Sequence, residues 1–384
     1  DLKSTIDANY SNQKFGLYAG QITNDEALNN TNHFNKIGIK LGIQTFRTLP
    51  AKWNMGLTLK GDKWNEVNTT NTEYNLDVIP YFQYKASNEL TLKTAPAYNL
   101  SKSEAFESAY IFSNTIEGQL DHKSSNISMG LSSAYFNNTW SLWPSINLKW
   151  DVSNKDELKI STKQDISINT ASNISDCNPY SDLSTLAIVN IANEYYKDFN
   201  VERSASLSFG SKRIKELEIN ANASYHLIEN DQNFKLIENG QKFNLERVDY
   251  NLLKMQLGAK YNMLEKAVNV GVLLQYNRYM KPSDALLHRP EWEITPKVQS
   301  HFINNRLHLE LSSNINSPQL LGLENGESQR STWRTNISFE ARFEVLSRLN
   351  IYLNADNIIN DKYQVWNGYN NFGRNLSAGF LIKI

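Results

Sequence analysis

The chain has 384 residues, 40% of them hydrophobic, with a formal net charge of −1 and a mean hydropathy of −0.52. That average is too polar for a bundle of membrane helices. No stretch approaches the ~18–20 apolar residues of a spanning helix, the longest run being Leu186–Ala192, which Asn190 interrupts. A pI near 6.7 gives no reason to expect the concentrated basic face that nucleic acid requires, so no nucleic-acid partner is expected.

No linker, composition shift or low-complexity tract divides the sequence, and only nine prolines and seventeen glycines punctuate it. Residues 1–384 are therefore read as a single domain. The sole cysteine, Cys177, excludes an intramolecular disulfide. Asp1-Leu2-Lys3 opens without the basic and apolar regions of a signal peptide.

Along the chain a period of two recurs, as expected of strands with one apolar and one wetted face. A first strand is predicted around Thr5 to Ile22. Ile37, Ile39, Leu41 and Ile43 then alternate with Gly38, Lys40, Gly42 and Gln44. Ile127, Met129 and Leu131 share a face, as do Leu142, Ile146, Leu148 and Trp150, then Leu217, Ile219, Ala221, Ala223, Tyr225 and Leu227. Val268, Val270, Val272, Leu274 and Tyr276 follow, then Leu307, Leu309 and Leu311. The longest alternation sets Trp333, Thr335, Ile337, Phe339, Ala341, Phe343 and Val345 against Arg334, Asn336, Ser338, Glu340, Arg342 and Glu344. It exceeds the ~9–11 residues with which a tilted strand crosses a bilayer. Leu349, Ile351 and Leu353 come next, and the chain ends on Leu376, Ala378, Phe380, Ile382 and Ile384.

Short polar segments such as Ala86-Ser87-Asn88 and Ser153-Asn154-Lys155-Asp156 alternate with long ones: Thr170–Asn200, Glu229–Leu245, Lys281–Pro290 and Pro318–Ser331. Aromatics gather near strand ends, at Trp140, Trp143, Trp150, Tyr276 and Tyr279, where an interfacial girdle would lie. The reading is all-β: an antiparallel, up-and-down transmembrane barrel of about 18 strands, between about 14 and 20 and even in number. It must close, because lipid cannot satisfy an open sheet edge.

Near the C-terminus the sequence reads Asn354-Ala355-Asp356-Asn357-Ile358-Ile359-Asn360-Asp361-Lys362-Tyr363, followed by Trp366, Gly368-Tyr369 and Gly373-Arg374. This resembles the end of TonB-dependent outer-membrane receptors, especially those of Bacteroidetes-like bacteria. There an Asn-apolar-apolar-Asn/Asp turn and a Tyr follow the penultimate strand, and Gly-Arg opens the last. Asn357, Ile358, Ile359, Asn360, Tyr363, Gly373 and Arg374 fill those positions. Tyr225–Leu245 and Arg289-Pro290 resemble family hairpins more loosely. Ile384 stands where such receptors usually end on an aromatic. Strands that begin almost at once leave no room for the family's plug domain or TonB box.

Catalytic chemistry is not expected. None of the six histidines lies in an HExxH or similar motif. His308 and Ser312 share the polar face without an assignable acid or oxyanion donor, and Asp176, Asn178 and Asp182 lack calcium-loop spacing. No cofactor or metal is expected. Arg334, Glu340, Arg342 and Glu344 are candidate lumen charges, forming a salt-bridged ladder in preference to a selectivity element. Trp366, Tyr369 and Phe372 are candidate outer-loop contacts for a ligand or partner, or a loop packing on itself.

The sequence thus points to a plugless receptor-like barrel of the bacterial outer membrane, passing or receiving a solute at the cell surface. The alternative is a scaffold barrel that holds a surface lipoprotein or other outer-membrane proteins besides its lipid. The long segment Thr170–Asn200, with apolar Leu183–Ala192, can seal a lumen or meet a neighbour.

Overall fold

The computed structural model describes residues 2–16, 31–45, 52–66, 72–103, 108–170, 177, 199–236, 243–264, 267–280, 286–324, 327–367, 369–370 and 373–382. The strands in chain order are β1 (Leu2–Gly16), β2 (Thr31–Thr45), β3 (Trp53–Glu66), β4 (Thr72–Lys85), β5 (Leu90–Thr94), β6 (Ala97–Ser103), β7 (Ala109–His122) and β8 (Ser125–Phe136). They continue with β9 (Thr139–Ser153), β10 (Asp156–Ile168), β11 (Phe199–Ser211), β12 (Leu217–Leu236), β13 (Phe243–Met263), β14 (Val268–Met280), β15 (Trp292–Phe302) and β16 (Leu307–Asn316). The last are β17 (Leu320–Glu324), β18 (Glu327–Arg330), β19 (Arg334–Leu346), β20 (Leu349–Asp356), β21 (Gln364–Trp366), β22 (Tyr369–Asn370) and β23 (Asn375–Ile382).

Nineteen of these strands form one sheet, each antiparallel to its neighbours. β5 and β6 both pair with β4 and β7 and are two pieces of one stave. The break falls at Ala95-Pro96, where proline has no N–H to give the ladder; Ala95 N still donates to Thr115 O at 3.1 Å. Counted this way the sheet has 18 staves, in agreement with the alternation. The other four strands make two hairpins outside it, β17–β18 and β21–β22.

Register carries the two faces from stave to stave. Ile6, Leu41, Leu59, Val78, Tyr98, Phe112, Tyr135 and Trp140 stand opposite one another in succession across β1 to β9. The neighbouring row starts Asp7, Lys40, Lys60, Asp77 and Asn99. It is knit by Lys60–Asp77 at 3.6 Å and by Asn99 Nδ2 donating to Asp77 Oδ1 at 2.8 Å. The apolar face is bare: Ile39, Leu131, Leu142, Leu257 and Phe380 are among many large side chains left exposed on it. An apolar surface of that extent belongs against lipid. Trp140 and Trp150 both lie on it, 62% and 57% exposed. Ten residues at about 3.3 Å each, tilted by about 40°, separate them by about 25 Å along the membrane normal, the height of a barrel's apolar band.

The short turns collect at one end of the sheet, among them Lys123-Ser124, Asn154-Lys155 and Ile303–Arg306, and the long connections at the other. Asn137-Asn138 is the exception at the long-loop end, a two-residue turn with φ of 49° and 57°, which asparagine adopts readily.

Two expectations change, and several others lie outside the described residues. The first strand covers Leu2–Gly16, and its predicted continuation to Ile22 lies outside the described residues, as do Leu183–Ala192 and Asp176, Asn178 and Asp182. The predicted loop Glu229–Leu245 is largely strand: β12 and β13 run on to Leu236 and from Phe243, because their tips are covered by other loops. Trp143 and Tyr279 leave the girdle. Trp143 is one residue out of phase with Trp140 and Trp150 and receives the Arg203 guanidinium over its ring. Tyr279 packs on Tyr250 instead.

The two faces predict opposite tolerance to charge. Leu131→Arg, near mid-height on the lipid face, should lower the unfolding free energy in bilayers by about 2–4 kcal/mol. Asn147→Arg, on the polar face, should change it by less than about 1 kcal/mol. Urea titration of vesicle-inserted protein measures both.

Candidate functional site

At the long-loop end four connections meet. The β12–β13 tips bring Phe234 and Phe243, the β14–β15 loop brings His288, and the β20–β23 connection brings Trp366 and Tyr369. Trp366 lies 5.3 Å from Phe234, 5.7 Å from Phe243 and 4.6 Å from His288, ring centre to ring centre, and Tyr369 is 6.0 Å from Phe243. Phe243 is fully buried and Tyr369 nearly so. The β17–β18 hairpin is stitched in through the backbone, His288 N donating to Leu320 O at 2.7 Å, and Gln319 Nε2 donates to Val365 O at 3.2 Å. Loops from staves six ladders apart thus pack together into a cap at this end of the sheet.

Beneath the aromatic rings sits a polar anchor. Arg289 donates to Asp231 Oδ2 at 2.7 Å, to Gln232 O at 2.8 Å and to Tyr250 Oη at 3.0 Å, and Tyr250 Oη donates to Asp231 Oδ2 at 2.6 Å. Leu287 N is held by Asn233 Oδ1 at 3.0 Å. A β-bulge in β12 between Ile228 and Asp231 shifts the register and turns Asp231 toward Arg289. The sequence reading picked out Arg289-Pro290 only as a hairpin likeness and missed Asp231 and Tyr250. The available signal was Asn230-Asp231, a polar turn-type pair inside a long strand pattern.

His288, enclosed by these rings, is driven toward its neutral form. Burial, opposed by the Phe234 backbone and aided by the charges of Arg334 and Arg289, pushes it down to about 4 from an ordinary 6.5.

The C-terminal motif residues come together as a turn. Asn357 and Asn360 have φ of 48° and 56°, a left-handed backbone that asparagine tolerates and Ile358 or Ile359 would not. Asn357 Nδ2 donates to Asp361 O at 3.0 Å, and Asp361 N donates back to Asn357 Oδ1 at 2.9 Å. Asn360 Oδ1 receives Arg374 N at 3.0 Å, and Arg374 Nε reaches Ile358 O at 2.9 Å. A Cβ on Gly373 would stand 2.7 Å from Asn360 Oδ1, so the close approach requires glycine. Tyr363 places its ring 5.5 Å from the Arg334 guanidinium. Ile359 is half-exposed. The motif ties β20 to β23 and to Asn336, which accepts from Asn357 N at 3.0 Å.

The four lumen charges do not meet as one ladder. Glu340 and Arg342 pair at 2.7 Å, Arg334 is buried beside Tyr363, and Glu344 makes no ion pair among the described residues. Arg334 opens β19 at the cap end, so the tyrosine ring is nearer to it than the row of acids below. Of the three outer-loop aromatics, Trp366 and Tyr369 turn into the cap, because their rings bury more surface against Phe243 than they would in water. Phe372 lies outside the described residues.

Over nearly its whole length this chain superposes on solved receptors of the outer membrane. With the FrpB iron transporter from Neisseria meningitidis the TM-score is 0.67 at 11% identity, over 99% of this chain and 68% of that one. With the ferric enterobactin receptor PfeA from Pseudomonas aeruginosa it is 0.69 at 11% identity, over 99% and 68%. With the siderophore receptor PirA from Acinetobacter baumannii it is 0.67 at 10%, over 99% and 68%. The fold is that of a siderophore-receptor barrel. The chain spans about two thirds of the length of those structures. No family model and no curated protein sequence matches it. The resemblance drawn from the terminal residues and the likeness in fold agree.

Two outcomes test this end of the barrel. Asn357→Ala should cost about 2–3 kcal/mol, since it strands the Asp361 N–H and puts alanine in a left-handed backbone. Ile359→Ala should cost less than about 1 kcal/mol; urea unfolding of the folded barrel compares them. Acid should loosen the cap. A histidine held below its ordinary value stabilises the fold fully above pH 6.5, and that contribution drains as pH falls toward about 4, by on the order of 3 kcal/mol. Amide exchange of the β12–β13 tips should rise over that window in the wild type and stay flat in His288→Leu.

Proposed function

We propose that this barrel receives a solute at the cell surface and admits it to its lumen, acting as a receptor and not as an enzyme. The observation that carries the reading is the convergence of four loops over a polar-lined sheet whose fold is that of the ferric-chelate receptors. A wall with one wet face and a closable outer end is suited to capture and passage. In this reading residues 1–384 supply wall and loops alone, without a plug, and the solute is a ferric chelate, as the name of the ferric enterobactin receptor PfeA suggests. Trp366 and Tyr369 then act by holding the cap shut, Glu340, Arg342 and Glu344 line the path, and Arg334 braces its outer end against Tyr363.

A scaffold role in a larger outer-membrane complex, with a surface lipoprotein seated on the loops, is the second reading. It is favoured by the aromatic interior of the cap, which packs on itself as a permanent seal would.

Conductance of the purified protein in a planar bilayer separates the two. Stable steps, blocked by a ferric catecholate added on the long-loop side, are the expected result. A silent bilayer with insertion verified by protease protection would leave the scaffold. Steps indifferent to the chelate would mean a simple pore.

A further inference from the structure

At the other end of the polar face, β15 and β16 are joined by the tight turn Ile303–Arg306, and one residue pair beyond it His301 stands directly opposite His308. Their Nδ1 atoms are 3.4 Å apart and the rings are 4.7 Å centre to centre. Two imidazole nitrogens each about 2.0–2.1 Å from a tetrahedral ion are separated by about 3.4 Å, so the pair already has the bite of a chelate. Because the two residues sit in one hairpin, seven positions apart, no rearrangement of the barrel is needed to bring them together.

The surroundings suit an ion as well. Glu310, next along the same face of β16, has Oε2 3.8 Å from His308 Nε2, the nitrogen that points away from the gap. A carboxylate facing the outer N–H of a ligating histidine is the usual support for such a ligand. Glu310 is fixed by Lys297 Nζ at 2.7 Å and by Gln299 Nε2 at 2.9 Å, so it stays beside the ring without entering the gap. Arg342, opposite His308 on β19, is drawn to Glu340 at 2.7 Å. No group of three or more acidic, histidine or cysteine side chains that could hold an ion is found among the described residues, so an ion held by this pair would take water as its remaining ligands.

We propose that His301 and His308 bind one divalent transition-metal ion of the Zn2+ or Ni2+ class through their Nδ1 atoms, on the lumen wall beside the short turns. Imidazole ligands favour such ions over Mg2+ or Ca2+. The inference needs only the β15–β16 hairpin and stands apart from the solute reading.

Calorimetric titration of the folded, detergent-solubilised barrel with Zn2+, repeated with Ni2+, tests it at neutral pH. One ion per chain is expected. Affinity should fall at least tenfold in His301→Ala and in His308→Ala, and no further in the double variant, because one ligand alone chelates nothing. Glu310→Gln should weaken binding several-fold, whereas His226→Ala should leave it unchanged. Gel mobility before and after heating reports whether each variant is folded. Zn2+ should also slow diethyl pyrocarbonate modification of His301 and His308 in the wild type, a readout that needs no variant. No saturable binding, binding that survives either substitution, or modification indifferent to Zn2+ would overturn the proposal.

Discussion

Everything in this molecule follows from the inability of lipid to accept a backbone hydrogen bond. A helix would answer that demand within one segment; this chain answers it between segments, so each stave is stable only where its neighbour stands in register. That requirement explains why each stave is laddered to the next from β1 to β23. Pairing lapses beside prolines: at Ala95-Pro96, where Ala95 N still reaches Thr115 O, at Thr295-Pro296 between β15 and β16, and next to Pro144, where the β9–β10 ladder stops at Ile146. It also bears on the two outer staves. Among the described residues no ladder joins β1 to β23. Because neighbouring staves alternate in direction and there are 18, those two edges run antiparallel to one another. They can pair antiparallel directly, or through an even number of further staves, whereas an odd number would require one parallel pair.

Register also sets the chemistry of the lumen. Side chains that share a face meet in cross-strand pairs, and unlike charges are placed where like ones would repel. Lys40 stands opposite Lys60, and Lys60 is relieved by Asp77 on its other side. Glu310 stands opposite Glu340, with Lys297 and Arg342 taking one carboxylate each. Pairs exposed to lumen water are each worth little. Their effect is to leave the wall near neutral and to pin the side chains against it.

The alternation made the staves legible because a residue's face depends only on its parity, which Ile37 to Ile43 or Trp333 to Val345 display without knowledge of any neighbour. The terminal motif was legible for a similar reason: Asn357 and Asn360 are chosen for a backbone conformation that few residues adopt. What stayed hidden depends on contacts across the barrel. Nothing local tells that β12 and β13 continue to Leu236 and from Phe243, since their support comes from Trp366, more than a hundred residues away. Trp143 and Tyr279 were misplaced for a different reason: their odd parity, against the even Trp150 and Tyr276, was legible, but proximity to a strand end was weighed above it. His301 and His308 lie in two different alternations, and their meeting depends on a turn length that periodicity does not fix.

The cap is the element on which the functional choice turns, and its construction limits the alternatives. An aromatic cluster alone would be held by area and would slide. The Asp231–Arg289–Tyr250 anchor adds a directional lock, because a charge enclosed without its partner is far more costly than the pair. Such a lock favours two states, engaged or fully released to water, over partial opening. A permanent seal gains little from that property, since apolar packing of the same volume would serve as well. In the receptor reading proposed above the lock has a use, because a ligand that supplied its own anionic oxygens to Arg289 would exchange for Asp231. The same aromatic interior that makes the cap look sealed is therefore compatible with opening, provided the polar anchor beneath it is what the solute engages.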